Sequence, residues 1–423
     1  MSRGRRCDAV SRFVCRLLVR VLPLLVAAGA AGAGTLEAPD GIPVGPWILK
    51  PLFDLGYSRD SNVFYAPPGG DLEADDVMTA AAALSAKLPF RNSLFTADYH
   101  AVRTDYRTIS VPRKLARDFG LGLELKFSTM DRLDLTAHET YGTADTKLFD
   151  PGGATVYQGV PYYYSTQQIE AAREEYGHRG YVVRLTGNRQ DFDSTELAFF
   201  EYTGYEGFLE YREPLSSRLW LVASYEGRRY DDFLANQRSP NGAPAWRERS
   251  ELYWVGVRGL LGPEEPYVLR AGWARFRFPG TAGSASGDLT LEGSLQLHLG
   301  GSTGLHVLAS RRPWPTYFTF EGEQVNKYVV ESLLARVERR WLDFSTVGVE
   351  ASFGHYRFDR LPGGSQRKDK ATGAKVYANL MIRERIGFRV SIEQGRRTSD
   401  HEFAVYEYRK TVYWVGLVLG WLD

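Results

Sequence analysis

Period-two alternation over long stretches constrains this chain more than any other feature. Between residues 119 and 127, Phe119, Leu121, Leu123, Leu125 and Phe127 fall on one side, and Gly120, Gly122, Glu124 and Lys126 on the other. The split recurs with Leu289, Leu291, Leu295, Leu297 and Leu299 against Thr290, Glu292, Ser294, Gln296 and His298. It returns with Val347, Val349, Ala351 and Phe353 against Gly348, Glu350, Ser352 and Gly354, and with Val376, Ala378, Leu380 and Ile382 against Lys375, Tyr377, Asn379 and Met381. Residues two apart share one face of a strand, so each segment presents an apolar face and a polar one. A soluble sandwich alternates too. The runs here extend for about 10 to 15 residues, whereas soluble strands usually stop near 5 or 6 and a tilted membrane strand needs about 9 to 11. Length therefore favours strands that cross a bilayer.

The connections supply a second rhythm. Short ones fall at 89–92, 129–131, 214–217, 262–266, 300–303, 341–344 and 384–386, and long ones rich in Pro, Gly and charge at 60–76, 145–160, 232–248, 279–287, 313–324 and 359–370. Alternating tight turns and long loops is the expected pattern of periplasmic turns and external loops. A chain that starts and ends on the periplasmic side crosses an even number of times. The fold expected is an all-β, antiparallel transmembrane barrel of about 18 strands, with 16 as the alternative, because residues 162–211 divide into either two or three strands.

The first 33 residues differ in kind. Arg3, Arg5, Arg6, Arg12, Arg16 and Arg20 precede an apolar stretch that ends in Ala31-Gly32-Ala33. This is the layout of a cleaved signal peptide, and its apolar core is shorter than the roughly 20 residues a helical span requires. The expected organisation is a signal peptide over 1–33, a Pro/Gly-rich periplasmic lead-in over 34–46 and a barrel over 47–423. Both cysteines, Cys7 and Cys15, lie ahead of the apolar core, so the mature chain carries no thiol, disulfide or cysteine metal site. Lys and Arg number 52 against 51 Asp and Glu, a balance that gives no support to a nucleic-acid partner.

The first strand and loop read Phe53-Asp54-Leu55-Gly56-Tyr57-Ser58-Arg59-Asp60-Ser61-Asn62-Val63-Phe64. An acidic loop from Asp71 to Asp76, a small-residue strand and the turn Leu88-Pro89-Phe90-Arg91-Asn92 follow. With its G-Y-x-x-D-x-N motif, the region 47–145 resembles the outer-membrane β-barrel porin family found near capsule and exopolysaccharide export loci, the beta-barrel porin 2 type. The resemblance implies an outer-membrane channel serving polysaccharide secretion.

At the other end, Tyr413, Val415, Leu417, Leu419 and Trp421 alternate with Trp414, Gly416, Val418 and Gly420. This resembles the C-terminal strand that the barrel-assembly machinery recognises, except that Trp421-Leu422-Asp423 stands where a final Phe is usual. Trp220, Trp254, Trp273, Trp314, Trp341, Trp414 and Trp421 fall near expected strand ends, where an interfacial aromatic belt would lie.

Several motifs with catalytic or metal-binding potential have simpler explanations. Asp60, Asn62, Asp71 and Glu73, with Asp75 and Asp76 nearby, offer oxygen ligands of the kind Ca²⁺ takes, but Asp60 and Asn62 are better explained as Asx-turns closing the first strand. Gly300-Gly301-Ser302-Thr303-Gly304 matches G-x-S-x-G, yet a nucleophile elbow joins a strand to a helix, and this segment joins two strands. His298 and His306 flank Ser302 and give the nearest approach to a hydrolase site. The other histidines, His100, His138, His178, His355 and His401, show no zinc spacing. No enzyme and no cofactor are expected.

The polar faces supply candidate pore-lining residues: Lys126, Arg184, Arg218, Arg258, Arg270, Lys375 and Arg389 against Glu124, Glu226, Glu292, Glu350 and Glu393. A ring of one sign would predict strong ion selectivity; this mixed wall with interleaved Tyr and Trp predicts passage of polar solutes. The expected function is an outer-membrane channel with polysaccharide as favoured cargo. The alternative is a non-channel barrel acting as an adhesin, receptor or scaffold. Outer-membrane lipid and the assembly machinery are the expected partners.

Overall fold

The computed structural model describes residues 41–63, 65, 74–109, 114–144, 160–193, 201–231, 247–263, 265–277, 285–315, 319–320, 323–324, 327–342, 345–358, 367–383, 385–400 and 407–420. The segment 1–33 expected to be a signal peptide, and with it Asp71, Glu73, His401 and Trp421, lies outside them. No described helix is long and apolar enough to cross a membrane, which says nothing about crossing by strands.

The elements in chain order are β1 (Ile42–Val44), β2 (Trp47–Asp60), β3 (Asp75–Phe90), β4 (Ser93–Tyr106), β5 (Lys114–Lys126), β6 (Asp131–Ala144) and β7 (Val160–Arg173). They continue with β8 (Gly180–Phe192), β9 (Tyr202–Ser216), β10 (Leu219–Asp231), β11 (Arg247–Leu260), β12 (Pro266–Arg277), β13 (Ala285–His298) and β14 (Thr303–Pro315). The rest are β15 (Thr319–Phe320), β16 (Glu323–Gln324), β17 (Lys327–Leu342), β18 (Ser345–Phe358), β19 (Lys368–Arg383), β20 (Ile386–Ser399) and β21 (Tyr408–Gly420).

Each long strand pairs antiparallel with its sequence neighbours, and β2 closes on β21 from Leu52↔Gly420 to Asp60↔Val412, making a closed barrel of 18 strands. Closure leaves no unpaired sheet edge, the condition for a β-structure to sit in lipid. The contested stretch 162–211 resolves into three strands, β7, β8 and β9, which favours the higher count. β1 is a short strand within the lead-in, paired to the start of β2 through Ile42↔Leu49. β15 and β16 form a separate small hairpin between β14 and β17.

The barrel strands run from 12 residues in β12 to 16 in β3. Their alternation sorts side chains onto two surfaces. Large apolar residues such as Leu55, Phe119, Leu185, Val255, Leu269, Val349 and Val376 are exposed on the outer face. Hydrophobic burial does not operate against lipid, so this exposure is where the fold places its apolar surface. Near the turn end of β3–β6, Leu88, Phe95, Leu123 and Leu135 form a buried apolar cluster, with Trp47 packed edge-on against Phe95.

The tryptophans do not all join an outer belt. Trp273 and Trp341 are exposed on the outer face, but Trp220 and Trp254 share the even parity of Glu226 and Arg258, face inward and are buried. Trp314 and Trp414 also have inward parity. Proximity to a strand end does not fix the face; the odd or even position does. Tyr99, Tyr225, Tyr253 and Tyr413 supply much of the outer aromatic surface instead.

Candidate functional site: the barrel interior

The interior wall is built from the alternate residues that do not face outward. Among the candidate pore-lining residues, Glu124, Lys126, Arg184, Glu226, Arg258, Arg270, Glu292, Glu350, Lys375, Arg389 and Glu393 all sit on strands at inward parity. Arg218 does not: it lies exposed in the two-residue turn between β9 and β10, at the mouth instead of on the wall. The polar-face pattern put it on the wall, but β9 ends at Ser216 and β10 begins only at Leu219.

Most of these charges are held in pairs. Lys126 meets Glu124 at 2.7 Å, Arg270 meets Glu292 at 2.9 Å, Arg336 meets Glu350 at 2.6 Å and Arg389 meets Asp54 at 3.1 Å. Lys375 and Glu393 stand 4.0 Å apart. His100 on β4 lies 3.4 Å from Asp118 on β5.

Two networks go beyond simple cross-strand pairing. At mid-wall, Glu226 on β10 binds Arg228 on its own strand and Arg312 on β14, the latter at 3.0 Å. Arg312 lies over the Trp314 ring at 5.1 Å, and Arg270 over the Trp254 ring at 4.5 Å. Guanidinium planes stacked on indoles are held in place while their edges stay free to hydrogen-bond.

The second network is organised by the turn between β7 and β8, residues 174–179, which folds inward. Tyr176 stacks on Trp220 with centroids 4.2 Å apart and planes 8° from parallel, and Trp220 Nε1 donates to the His178 carbonyl at 2.9 Å. Glu174 accepts from Arg132 on β6 at 2.7 Å and from Arg212 on β9, with Arg258 on β11 4.0 Å away. Arg132 also binds Asp134 and Glu170, and Glu170 binds Arg184 at 2.6 Å. Burial pushes the Glu174 carboxyl up, but the Arg212 hydrogen bond and the charges of Arg212, Arg132 and Arg258 prevail and hold it below the usual carboxylate range. Glu174, Tyr176, Arg132, Arg212 and Arg312 were not among the sequence candidates. The recurring Arg-x-acid spacing, as in Arg132/Asp134, was the one available signal.

A third interior feature is aromatic. Trp414 on β21 lies across Gly56 of β2, where a Cβ would come within 2.7 Å of its Nε1. Tyr377 on β19 donates to Glu338 at 2.6 Å. Tyr356, Tyr377 and Trp414 thus give one arc of the wall, β18–β21, a set of ring surfaces.

Of the metal candidates, Asp60 and Asn62 are otherwise engaged. The Asp60 carboxylate accepts from the Asn62 amide at 3.0 Å, an Asx-turn, and meets Lys410 Nζ at 2.6 Å. Asn62 is buried and donates to the Arg409 carbonyl at 3.1 Å. Among the described residues no group of three or more acidic, His or Cys residues is placed to hold a metal. Ser302 lies in the tight turn between β13 and β14, two antiparallel strands, so the strand-to-helix elbow is missing. The C-terminal residues Tyr413, Val415 and Leu419 are exposed on the outer face of β21, and Leu417 is half-buried on the same face.

A closed antiparallel barrel of 18 long strands, with an apolar outside and a charged inside, has the architecture of a transmembrane β-barrel. Some solved structures resemble the chain at low similarity. The outer membrane protein OpdK from Pseudomonas aeruginosa is 11% identical, covering 88% of this chain and 99% of its own, with TM-score 0.48. A BenF-like porin from Pseudomonas fluorescens Pf-5 is 10% identical, covering 88% and 98%, with TM-score 0.49. The siderophore receptor PirA from Pseudomonas aeruginosa is 13% identical, covering 94% and 85%, with TM-score 0.45. With TM-scores below 0.5, these likenesses add no argument to what the strand pairing and the two faces show. No protein-family model and no curated protein matches the chain, so nothing supports membership of the capsule-locus family.

Proposed function

We propose that this protein is an outer-membrane channel for polar solutes, exported by its N-terminal signal. The observation that carries the reading is the interior network itself. Charged side chains from strands that are not neighbours converge inside a closed barrel: Glu226 of β10 with Arg312 of β14, and Arg132, Arg212 and Arg258 of β6, β9 and β11 around Glu174 in the β7–β8 turn. A barrel serving only as a scaffold has no need to direct so many charges inward, where each must be solvated or paired. Opposite charges along the wall would bind polar solutes weakly and at several points, as passage requires.

Polysaccharide is the favoured cargo. Supporting this are the ring faces of Tyr356, Tyr377 and Trp414, which suit the apolar faces of sugar rings, beside the hydrogen-bonding carboxylates Glu338 and Glu350. The outward residues of β21 are read as the recognition strand for the assembly machinery.

The test is solute flux. Liposomes carrying the purified protein are challenged with a neutral sugar series from monosaccharide to long oligosaccharide, and swelling is recorded. Swelling that persists with oligosaccharide and slows in Trp414→Ala supports saccharide passage. Swelling confined to the smallest solutes supports a general porin, and no swelling supports the adhesin, receptor or scaffold alternative.

A further inference from the structure

The outer face of β10, β11 and β12 is layered. Near the turns, Leu221, Val257 and Leu269 lie side by side, followed by Ala223, Val255 and Ala271. Above them stands an aromatic row, Tyr225↔Tyr253↔Trp273, each ring exposed. The next row is Gly227↔Glu251↔Arg275, and the next Arg229↔Arg249↔Arg277. All three of these last arginines are at outward parity and exposed.

Three guanidiniums directly opposite one another on adjacent strands repel. Two carboxylates relieve this in part: Asp231 meets Arg229 at 2.8 Å, and Glu251 meets Arg277 at 3.8 Å. Arg249, in the middle of the row, and Arg275 below it have no ion-pair partner among the described residues. The patch therefore carries four cations against two anions, immediately beyond an aromatic row that marks the bilayer interface.

We propose that this patch binds the phosphorylated headgroup of a lipid in the external leaflet. The lipid's acyl chains would lie along Leu221, Val255 and Leu269, its headgroup over Tyr253 and Trp273, and its phosphates between Arg249 and Arg275. Arginine suits phosphate because its planar fork donates two parallel hydrogen bonds. A phosphate seated there would turn the repulsive row into an attractive one. The inference rests on the barrel being seated in a membrane and not on its being a channel.

The full-chain barrel in neutral detergent is titrated with purified diphosphorylated lipid A, and adducts are counted by native mass spectrometry. Parallel arms use phosphatidylcholine and inorganic phosphate. Lipid A adducts should form on the wild type and on Arg117→Gln, which alters an outward arginine on β5, and fall about ten-fold in Arg249→Gln/Arg275→Gln. The thermal transition gives a second readout. Without lipid the double variant should melt at or above the wild type, because repulsion is relieved; with lipid A the wild type should gain more. Equal adduct formation by wild type and double variant, or an equal thermal gain, would overturn the proposal. Saturation by inorganic phosphate that blocks no lipid A would also overturn it. Loss of conductance alone would count against the channel and leave this site standing.

Discussion

Arg312 on β14 reaches past three intervening strands to place its guanidinium 3.0 Å from the Glu226 carboxylate on β10. Glu226 is shared, since Arg228 binds it as well, and the two side chains are only 20% and 13% exposed for Arg312 and Glu226. The relationship is therefore unequal. Removing the acid takes the ion-pair partner of Arg312 and leaves Arg228 with Glu206, 3.7 Å away, whereas removing Arg312 leaves the acid bound to Arg228.

That inequality predicts an order of stabilities. Glu226→Gln should cost about 2 kcal/mol, because charge-assisted bonds of this kind are worth about 1.5 to 3 kcal/mol and leave an unpaired cation behind when broken. Arg312→Gln should cost less. Urea unfolding in detergent, followed by loss of the heat-modifiable folded band, compares them; equal losses would show that Glu226 is not the hub.

The inward turn at 174–179 should respond to acid. The folded-state pKa of Glu174 is lowered by Arg212, Arg132 and Arg258 even though burial opposes this. Its contribution to stability is fully present above the ordinary carboxylate value of about 4.3 and is lost as pH falls through the lower folded value. Acidification through that window should release the turn in the wild type, while Glu174→Gln should behave at neutral pH as the wild type does in acid. Hydrogen exchange of the Tyr176 to Arg179 amides reports the release.

Tyr176→Ala should enlarge the turn-side mouth and remove the stack on Trp220, at a cost of about 1 kcal/mol beyond lost burial. Single-channel conductance should rise while the unfolding midpoint falls. Unchanged conductance would place the turn outside the solute path.

Close packing of neighbouring strands makes a further prediction. A Cβ at Gly256 would collide with the Leu269 carbonyl and with Arg270 Cα at 2.6 Å, both backbone atoms that cannot swing aside. Gly301, in a turn, has nothing within 4 Å. Gly256→Ala should sharply reduce the folded barrel recovered, and Gly301→Ala should leave recovery unchanged, as read by heat-modifiability on gels.

Much of the fold was legible because lipid outside and water inside impose the same two-residue period on every strand. Even the contested stretch 162–211 contained its answer: Gly177 lies in the turn between β7 and β8, leaving Tyr162–Arg173 and Gly180–Phe192 as separate strands. The inward parity of Glu226, Arg270, Glu292 and Arg389 could be read the same way. What could not be read was which charges meet. Arg312 and Glu226 are 86 residues apart, and Glu174 finds Arg212 only because its turn folds into the barrel. Nor does distance from a strand end reveal whether Trp220 or Trp273 faces lipid. The charge meetings depend on curvature and turn direction, which no local pattern encodes, whereas the face of Trp220 or Trp273 follows from its even or odd position.

A passage lined by the Glu226 and Glu174 networks should conduct ions. Single-channel recording in planar bilayers under a salt gradient tests it most directly. Discrete conductance steps are expected for the wild type, with a reversal potential that shifts toward anion selectivity in Glu226→Gln, where the wall loses the negative charge that Arg312 and Arg228 share. Steps with an unchanged reversal potential in that variant, or a folded barrel that gives no steps at all, would contradict the account.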